Sequence, residues 1–570
     1  METIDLPNEA KICKNQKGIK YAYFDYPYWD QQKGYGCHHR LYIGLIEADG
    51  SFIPNVYYLS RISQGHPEKP PYYLTKKDRD EYILKLKNIA DEPKSSQDLS
   101  NEKDIDLYYG SVYLLEQISS LLGIEDDLAE CFPDTYKQIL SIVYYLVLES
   151  HSPLYRFNKW ARDHEHPYDS LMASQRISEL IIDNITERQK KKFYKLQITR
   201  RKEDEYLAYD TTSISSTSKL IKYAKYGRNK DKEKLPQINL AMLTGQQSRL
   251  PVYYRVLPGN ISDVSTVKKL LKDLNIIGIE KVKLVLDRGF YSADNINLMC
   301  RDGHKFILSA RRNIALFKNL LKEAKQILSD NKLNIEFYNP KLDIYCIESK
   351  IKWQYIEKDD NDQIILRKTI FLNAYICYNK TRGEEERKKF LQSIDEVDTL
   401  CKENKELDSK QKSLYKEYFI KQNKSEDTNF DIIIDRNAVL MKSLDYGYFI
   451  LVSNDEYSAY DVISIYRKKD IIEKVFDNLK DRLEFKRTEV HSNRSLNNKI
   501  FVLFISLLYI SYIDKKIKEN NTYKNKTMDS VFDDLDNIKK CYHDINKYHI
   551  SEITEKQRKL YEIFSVTPPA

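Results

Sequence analysis

The chain has 570 residues, of which 41% are hydrophobic and 31% charged, with 92 Lys and Arg against 85 Asp and Glu for a net charge of +7. That length exceeds what one hydrophobic core organises and predicts three or four domains or subdomains of a globular protein. The small net charge excludes a uniformly basic surface, so any polyanion site must come from local clustering.

Residues 1–65 hold short alternating aromatic runs, YAYFDYPYW and RLYIGLI, around the turn EADGSFIPN, and predict a small β-rich module. From 66 to 202 the pattern is helical, most clearly in SVYLLEQISSLLGI, DTYKQILSIVYYLVLES and SLMASQRISELIIDNI. The block ends in RQKKKFYKLQITRRK, 188–202, with eight basic residues, no acidic ones, and Phe193 and Tyr194 interleaved. This run reads either as a phosphate-backbone contact or as a solvated helix end.

Residues 203–312 turn to strands: YLAYD (206–210), QINLAML (237–243) and PVYYRVL (251–257), the last two joined as a hairpin. PGNISD supplies a turn and a cap for a helix marked by Val264, Val267, Leu270, Leu271 and Leu274. KVKLVLD (281–287) is the continuous apolar run of a strand buried on both faces. RGFYSADNINLMC turns at Gly289 and starts a helix near Ser292, and KFILSAR (305–311) is a further strand. Residues 313–445 break this rhythm with mixed strands and a charged helical stretch, and read as an insertion between two parts of one α/β sheet. GYFILVSN (447–454) restores a core strand in the segment 446–515, and the tail 516–570 reads as charged and helical.

Eight cysteines are scattered without a CxxC pair, which argues against a zinc ribbon or a disulfide framework and suits a reducing cytoplasm. Cys37-His38-His39 and His164/His166 lack partners at ligand spacing and read as surface or turn residues. No signal peptide is expected at the start. The longest apolar run, IFVLFISLLYISYI at 500–513, is 14 residues, too short for a bilayer and suited to a buried core helix.

The stretch SIYRKKDIIEKVFDNLKDRLEFKR, 464–487, reads as one helix. At about 100° per residue it places Tyr466, Lys469, Glu473 and Lys480 within an arc of roughly 60°. The stripe Ile472, Val475, Phe476, Leu479 and Leu483 faces a core beside them. Alone, this arc is either a solvated face with ion pairs such as Lys469–Glu473 or a polar-ligand site. Asp210 and Asp287 each close an apolar strand, which puts a carboxylate at a sheet edge, where open α/β sheets build sites. With Glu473 they form three carboxylates able to converge on Mg²⁺, which prefers hard oxygen ligands. Two such ions about 3.5–4 Å apart serve phosphodiester chemistry.

LAYDTTSISS, YGRNKDKEKLPQINLAML, LPVYYRVLPGNISDVSTV and LVLDRGFYSADNI, in that order, closely resemble the catalytic core of insertion-sequence DDE transposases. Residues 466–480 fit that family's YREK signature, Tyr-x2-Arg-x3-Glu-x6-Lys, with Tyr466, Lys469, Glu473 and Lys480 at the right intervals. Lys469 stands where the signature has Arg; it keeps the charge and loses the bidentate fork. Arg467 lies two residues earlier. The resemblance covers 206–312 and 446–490 and extends more loosely to the N-terminal module.

The resemblance implies an α/β fold with a ribonuclease H-like catalytic core, a mixed sheet flanked by helices. That core is interrupted by an inserted β-rich and helical subdomain and preceded by β-rich and helical N-terminal regions. It implies Asp210, Asp287 and Glu473 as catalytic and metal-holding residues with two Mg²⁺ ions, Mn²⁺ being a substitute. It implies Tyr466, Arg467, Lys469 and Lys480 as DNA contacts, with the loop 219–234 either tracking DNA or forming an ordinary surface loop. The implied activity is cleavage at element ends and transfer of the 3′-OH into target DNA. The implied partners are terminal inverted repeats, target DNA and a second copy in a synaptic complex, in a bacterial cytoplasm and with no membrane. Residues 66–202 are the candidate for end recognition. Trp353 reads as a core residue in preference to a base-stacking one. The rival readings are a ribonuclease H-like nuclease without strand transfer and an inactive DNA-binding descendant. A carboxylate-based glycosidase is more distant.

Overall fold

A computed structural model of the chain describes residues 6–14, 20–30, 35–47, 50–62, 68–70, 105–201, 204–312, 314–328, 335–359, 361, 363–423, 430–544 and 547–570. It divides into two compact units, Met1–Lys103 and Asp104–Ala570. The first holds the antiparallel strands β1 (Lys11–Lys14), β2 (Lys20–Asp30), β3 (Tyr35–Ile46) and β4 (Phe52–Pro54), followed by helix α1 (Val56–Ile62). Alternation in β2 and β3 sends Ala22, Phe24, Leu41 and Ile43 to one face, where Tyr57 and Tyr58 of α1 cover them. His38 faces Asp25 across the strands, its Nδ1 3.0 Å from Oδ1.

The second unit begins with β5 (Ile105–Tyr108) and the helices α2 (Gly110–Leu122), α3 (Ile124–Cys131), α4 (Tyr136–Leu148), α5 (Phe157–Asp163), α6 (Ser174–Asp183) and α7 (Glu187–Arg200). The part of the helical region expected over 71–104 lies outside the described residues. In α7, closed at its start by a Thr186/Gln189 capping box, Phe193 and Tyr194 are buried. They pack on Phe501 and Phe504 at ring-centroid distances of 5.5 Å each. Lys190, 3% exposed, donates to Asn498. The aromatics of the basic run are therefore core residues, because α7 lies against the long apolar helix described below.

The strands β6 (Tyr206–Ser215), β7 (Gln237–Gly245) and β8 (Pro251–Pro258) form an antiparallel meander, with the expected hairpin between the last two. Helix α8 (Asp263–Ile276), strand β9 (Lys283–Leu286), helix α9 (Ala293–Arg301, capped by Ser292) and strand β10 (Lys305–Ala310) follow. β9 lies parallel to both β6 and β10. Helix α10 (Ala315–Ile327) then leads to β11 (Tyr338–Asn339), β12 (Ile344–Lys358) and β13 (Ile364–Tyr378). Beyond α11 (Lys380–Lys402), α12 (Ser409–Tyr418), β14 (Phe419–Asn423), β15 (Phe430–Ile434) and α13 (Arg436–Ser443), strand β16 (Tyr448–Ser453) returns. The result is one mixed nine-stranded sheet in the order β11-β12-β13-β16-β10-β9-β6-β7-β8.

That order changes the meaning of the interruption expected at 313–445. Its long hairpin is not a separate β subdomain: β13 pairs with β16 from Asn373↔Ser453 to Tyr378↔Tyr448, so β11–β13 extend the main sheet. Only the helical part keeps a core of its own, around Phe390, Ile394, Val397, Tyr418, Phe419 and Val439. Trp353 is buried, its Nε1 donating to Asn297 on α9 at 2.9 Å.

Helices α14 (Ala459–Arg467) and α15 (Asp470–Asp477), with a π-turn at Asn478–Arg482, precede α16 (Asn493–Glu519). The apolar run 500–513 makes α16 the seam of the unit: its faces contribute Ile500 to Ile513 to the same core as α2–α7 and the meander. The helical region and the sheet therefore share one core. Among the described residues no helix is long and apolar enough to cross a membrane. The tail departs from the helical expectation. Between α17 (Met528–Leu535) and α18 (Glu555–Ile563), strands β17 (Lys539–Asp544) and β18 (Lys547–Ile550) build a three-stranded sheet with β5. β5 supplies the ladder partner, from Lys539↔Tyr108 to Tyr542↔Ile105, that the charged tail sequence does not advertise.

Candidate active site

Asp210 does not end its strand, as its sequence suggests. β6 continues through Thr211–Ser215, paired with β7 to Gln237, because Thr, Ser and Ile extend readily beside a partner. Its neighbour β9 is what stops: the parallel register runs to Tyr209↔Leu286, so Asp210 and Asp287 stand side by side one step further on. The carboxylate of Asp210 is a quarter exposed and accepts from the Thr211 N–H at 2.7 Å. Lys230 Nζ lies 3.3 Å from its Oδ1 and also donates to the Thr211 carbonyl. Burial pushes the Asp210 carboxyl up; Lys230 and the Thr211 N–H oppose that, and the charge of Asp287 adds to it.

The expected single helix at 464–487 is broken. Where a continuous helix would bond the Lys469 N–H to Ile465, that N–H goes to the Tyr466 carbonyl at 3.1 Å. The Gln246 side chain, from the β7–β8 turn, takes the Ile465 carbonyl at 2.9 Å. A three-residue step here and the π-turn at Asn478 interrupt the uniform 100° spacing on which the expected 60° arc rests. The apolar stripe Ile472, Val475, Phe476, Leu479 and Leu483 is buried as expected.

The break lets Tyr466 and Lys469 reach one carboxylate. Tyr466 donates its hydroxyl to Asp287 Oδ1 at 2.6 Å, and Lys469 Nζ lies 3.8 Å from the same oxygen. Burial, then the charge of Asp287, pushes the Tyr466 phenol far up, which keeps it a donor. Lys469 Nζ is also 3.7 Å from Glu473 Oε1, so one ammonium stands between Asp287 and the exposed Glu473. Lys480 pairs instead with Asp231 at 2.6 Å, and Arg467 donates to the Leu342 carbonyl at 2.9 Å. Among the described residues, no three His, Cys, Asp or Glu side chains gather closely enough to hold a metal ion.

A cleft of about 1440 Å³ opens on Asp287, Tyr466 and Lys469. Its walls carry eleven Lys and Arg against four Asp and Glu, an excess equal to the net charge of the entire chain. Lys318, Lys322 and Lys325 of α10 line it at intervals of four and three, beside the buried stripe Phe317, Leu321 and Ala324. Among the described residues Arg228, Arg288, Arg311, Lys318, Lys322 and Lys442 make no salt bridge, whereas Lys325 pairs with Asp445.

The family model of the transposase DDE domain matches residues 201–509, more than half of the chain. The chain belongs to the DDE transposases. It is a DNA-processing phosphoryl-transfer enzyme, of a family that generally uses divalent metal ions. Among solved structures, the transposase is similar to the piggyBac transposase in a synaptic complex with hairpin DNA. That similarity is 11% identity over 79% of this chain and 74% of that one, with a TM-score of 0.29. It is also similar to the Mos1 transposase in a paired-end complex with the left transposon end, at 11% identity over 45% of this chain and 78% of that one, with a TM-score of 0.14. No curated protein sequence matches the chain.

By donor type the carboxylates suit a divalent cation, although in this structure the three do not gather closely enough to hold one. Asp210, Asp287 and Glu473 offer only hard oxygens, and a cation relieves both the burial of Asp210 and its repulsion by Asp287. Lys469 already marks the space between Asp287 and Glu473 as one that attracts positive charge.

Sequence reasoning had no means of singling out Lys230, one of seven cations in the loop 219–234, or Gln246, which splits the helix. The α10 stripe was legible as cations spaced beside an apolar face, but it lay inside the supposed insertion.

Proposed function

We propose that this protein is an insertion-sequence DDE transposase with a ribonuclease H-like core, using Asp210, Asp287 and Glu473 as its catalytic carboxylates. The observation that carries the reading is the juxtaposition of Asp210 and Asp287 on parallel neighbouring strands, with Lys469 linking Asp287 to Glu473. These carboxylates would hold two Mg²⁺ ions, or Mn²⁺ in their place, which would supply activation of the attacking oxygen and stabilisation of the leaving one. The chain's own residues position and neutralise. Tyr466 fixes the rotamer of Asp287, while Lys230 and Lys469 balance the carboxylates. The unpaired cations of the cleft hold phosphates of the bound strand beside Asp287.

Water attacks the phosphodiester at the element end and frees a 3′-OH. That hydroxyl attacks a second phosphodiester, in the opposite strand or in target DNA. Terminal inverted repeats flanking the gene are the substrate, brought together by a second copy of the chain. The test uses duplex DNA carrying those flanks, with Mg²⁺ present. Wild type is expected to cut at the repeat ends and yield joined products, and Asp210→Ala is expected to lose about 10³-fold in rate. Equal rates for the two proteins reject the assignment, and cutting without joined products leaves a nuclease.

A further inference from the structure

Cys346 on β12 and Cys377 on β13 are register partners in the main sheet, and their Sγ atoms lie 3.1 Å apart. Both thiols are free. Other strand cysteines face different chemistry: Cys13 lies opposite Tyr21, Cys37 opposite Tyr28, and Cys541 opposite Asp106 and His549. Cys377 is fully buried and Cys346 partly so, in a cluster that includes Ile465 and Tyr466 of α14. The pair therefore sits beneath the helix whose Tyr466 holds Asp287.

We propose that Cys346 and Cys377 form a site of oxidative modification, a dithiol that closes to a cross-strand disulfide when a peroxide is the oxidant. The sheet register already holds the partners face to face, and the sulfurs need to approach by only ~1 Å to reach a bond of about 2.0 Å. Cys346 is the thiol that reacts first, since burial and then its contact with Cys346 push the Cys377 thiol far above its usual range. The Cys346 thiolate attacks one peroxide oxygen and becomes a sulfenic acid, and the other oxygen leaves as hydroxide and takes up the thiol proton as water. The Cys377 sulfur then attacks the Cys346 sulfur, and the sulfenic oxygen leaves with the Cys377 proton as a second water. Two thiols lose two electrons and two protons, and one peroxide becomes two waters.

The cross-link would lie next to contacts at both ends of α14: Glu348 of β12 accepts from the Ala459 N–H at 2.5 Å, and Arg467 reaches the carbonyl of Leu342 in the turn between β11 and β12. The proposal is independent of the transposase assignment. Its test is a thiol titration of the full chain under denaturing conditions, before and after one equivalent of hydrogen peroxide, with non-reducing peptide mapping. Wild type is expected to fall from eight titratable thiols to six, with 346 and 377 in one linked peptide pair. Cys377→Ser is expected to form no such link and to keep a sulfenic acid on Cys346 that a dimedone probe labels. Eight thiols after oxidation, or a linked pair that excludes either cysteine, would overturn it. So would labelling of Cys346 in wild type as strong as in Cys377→Ser.

Discussion

Two helical segments that follow one another in the chain obey opposite rules. α16 runs unbroken from Asn493 to Glu519, because its middle, residues 500–513, is apolar and buried on almost every side. The segment 459–482 has a single buried stripe, and one side chain from a neighbouring turn, Gln246, is enough to split it at Arg467–Asp470. Burial on all sides enforces regular geometry, whereas a half-buried helix can trade a main-chain bond for a side-chain one at little cost. Here that trade sets Tyr466 and Lys469 on the same oxygen of Asp287.

The contrast is broken most forcefully from the α16 side. Phe501→Ala removes a fully buried ring that touches Phe132, Phe193 and Tyr194, and is expected to cost about 3–5 kcal/mol. Because α16 is the common seam, helices and sheet should melt together in one lowered calorimetric transition. Two separate transitions would mean that the core is not shared.

A slightly smaller effect comes from Glu116 of α2, beside the same core. Burial, reinforced by Glu165 and Glu125, raises its carboxyl to about 7. The folded chain therefore keeps a proton that the unfolded chain releases near pH 4.3, so this group's contribution to stability falls as pH rises from there through about 7. Glu116→Gln is expected to stabilise the protein by roughly 3 kcal/mol at pH 8 and by almost nothing at pH 4. A melting-temperature gain independent of pH would refute the linkage.

On the site side, effects should appear in activity with stability untouched. Tyr466→Phe keeps the packing and deletes the bond to Asp287, and about a tenfold loss of cleavage rate is expected with an unchanged melting temperature. A rate equal to wild type would show that the hydroxyl holds nothing that matters. The smallest change concerns the cleft. Lys318→Gln and Lys322→Gln should each lower the slope of log binding constant against log salt by about 1 for duplex DNA, with little sequence dependence. An unaltered slope would place the DNA elsewhere.

Much of the site was legible because strands buried on both faces write continuous apolar runs, which fixed β9 and the place of Asp287. The meander, the helix started by Ser292 and the buried run of α16 were legible for the same reason: local pattern and local caps agree with where those residues are packed. Lys230 was not legible, since a loop cation carries no periodicity to say which carboxylate it meets. Nor was the union of β12 and β13 with β16, because strand pairing is a choice among edges, and an exposed hairpin sequence is compatible with its own small sheet.

By itself the sequence determined which segments are buried and which acids border them, through hydropathy and spacing that need no knowledge of partners. The tertiary structure decided which of those segments share a ladder, where one helix breaks, and which ammonium stands beside which carboxylate. Those outcomes depend on contacts between residues hundreds of positions apart, where a single hydrogen bond such as that of Gln246 outweighs the local preference for a continuous helix.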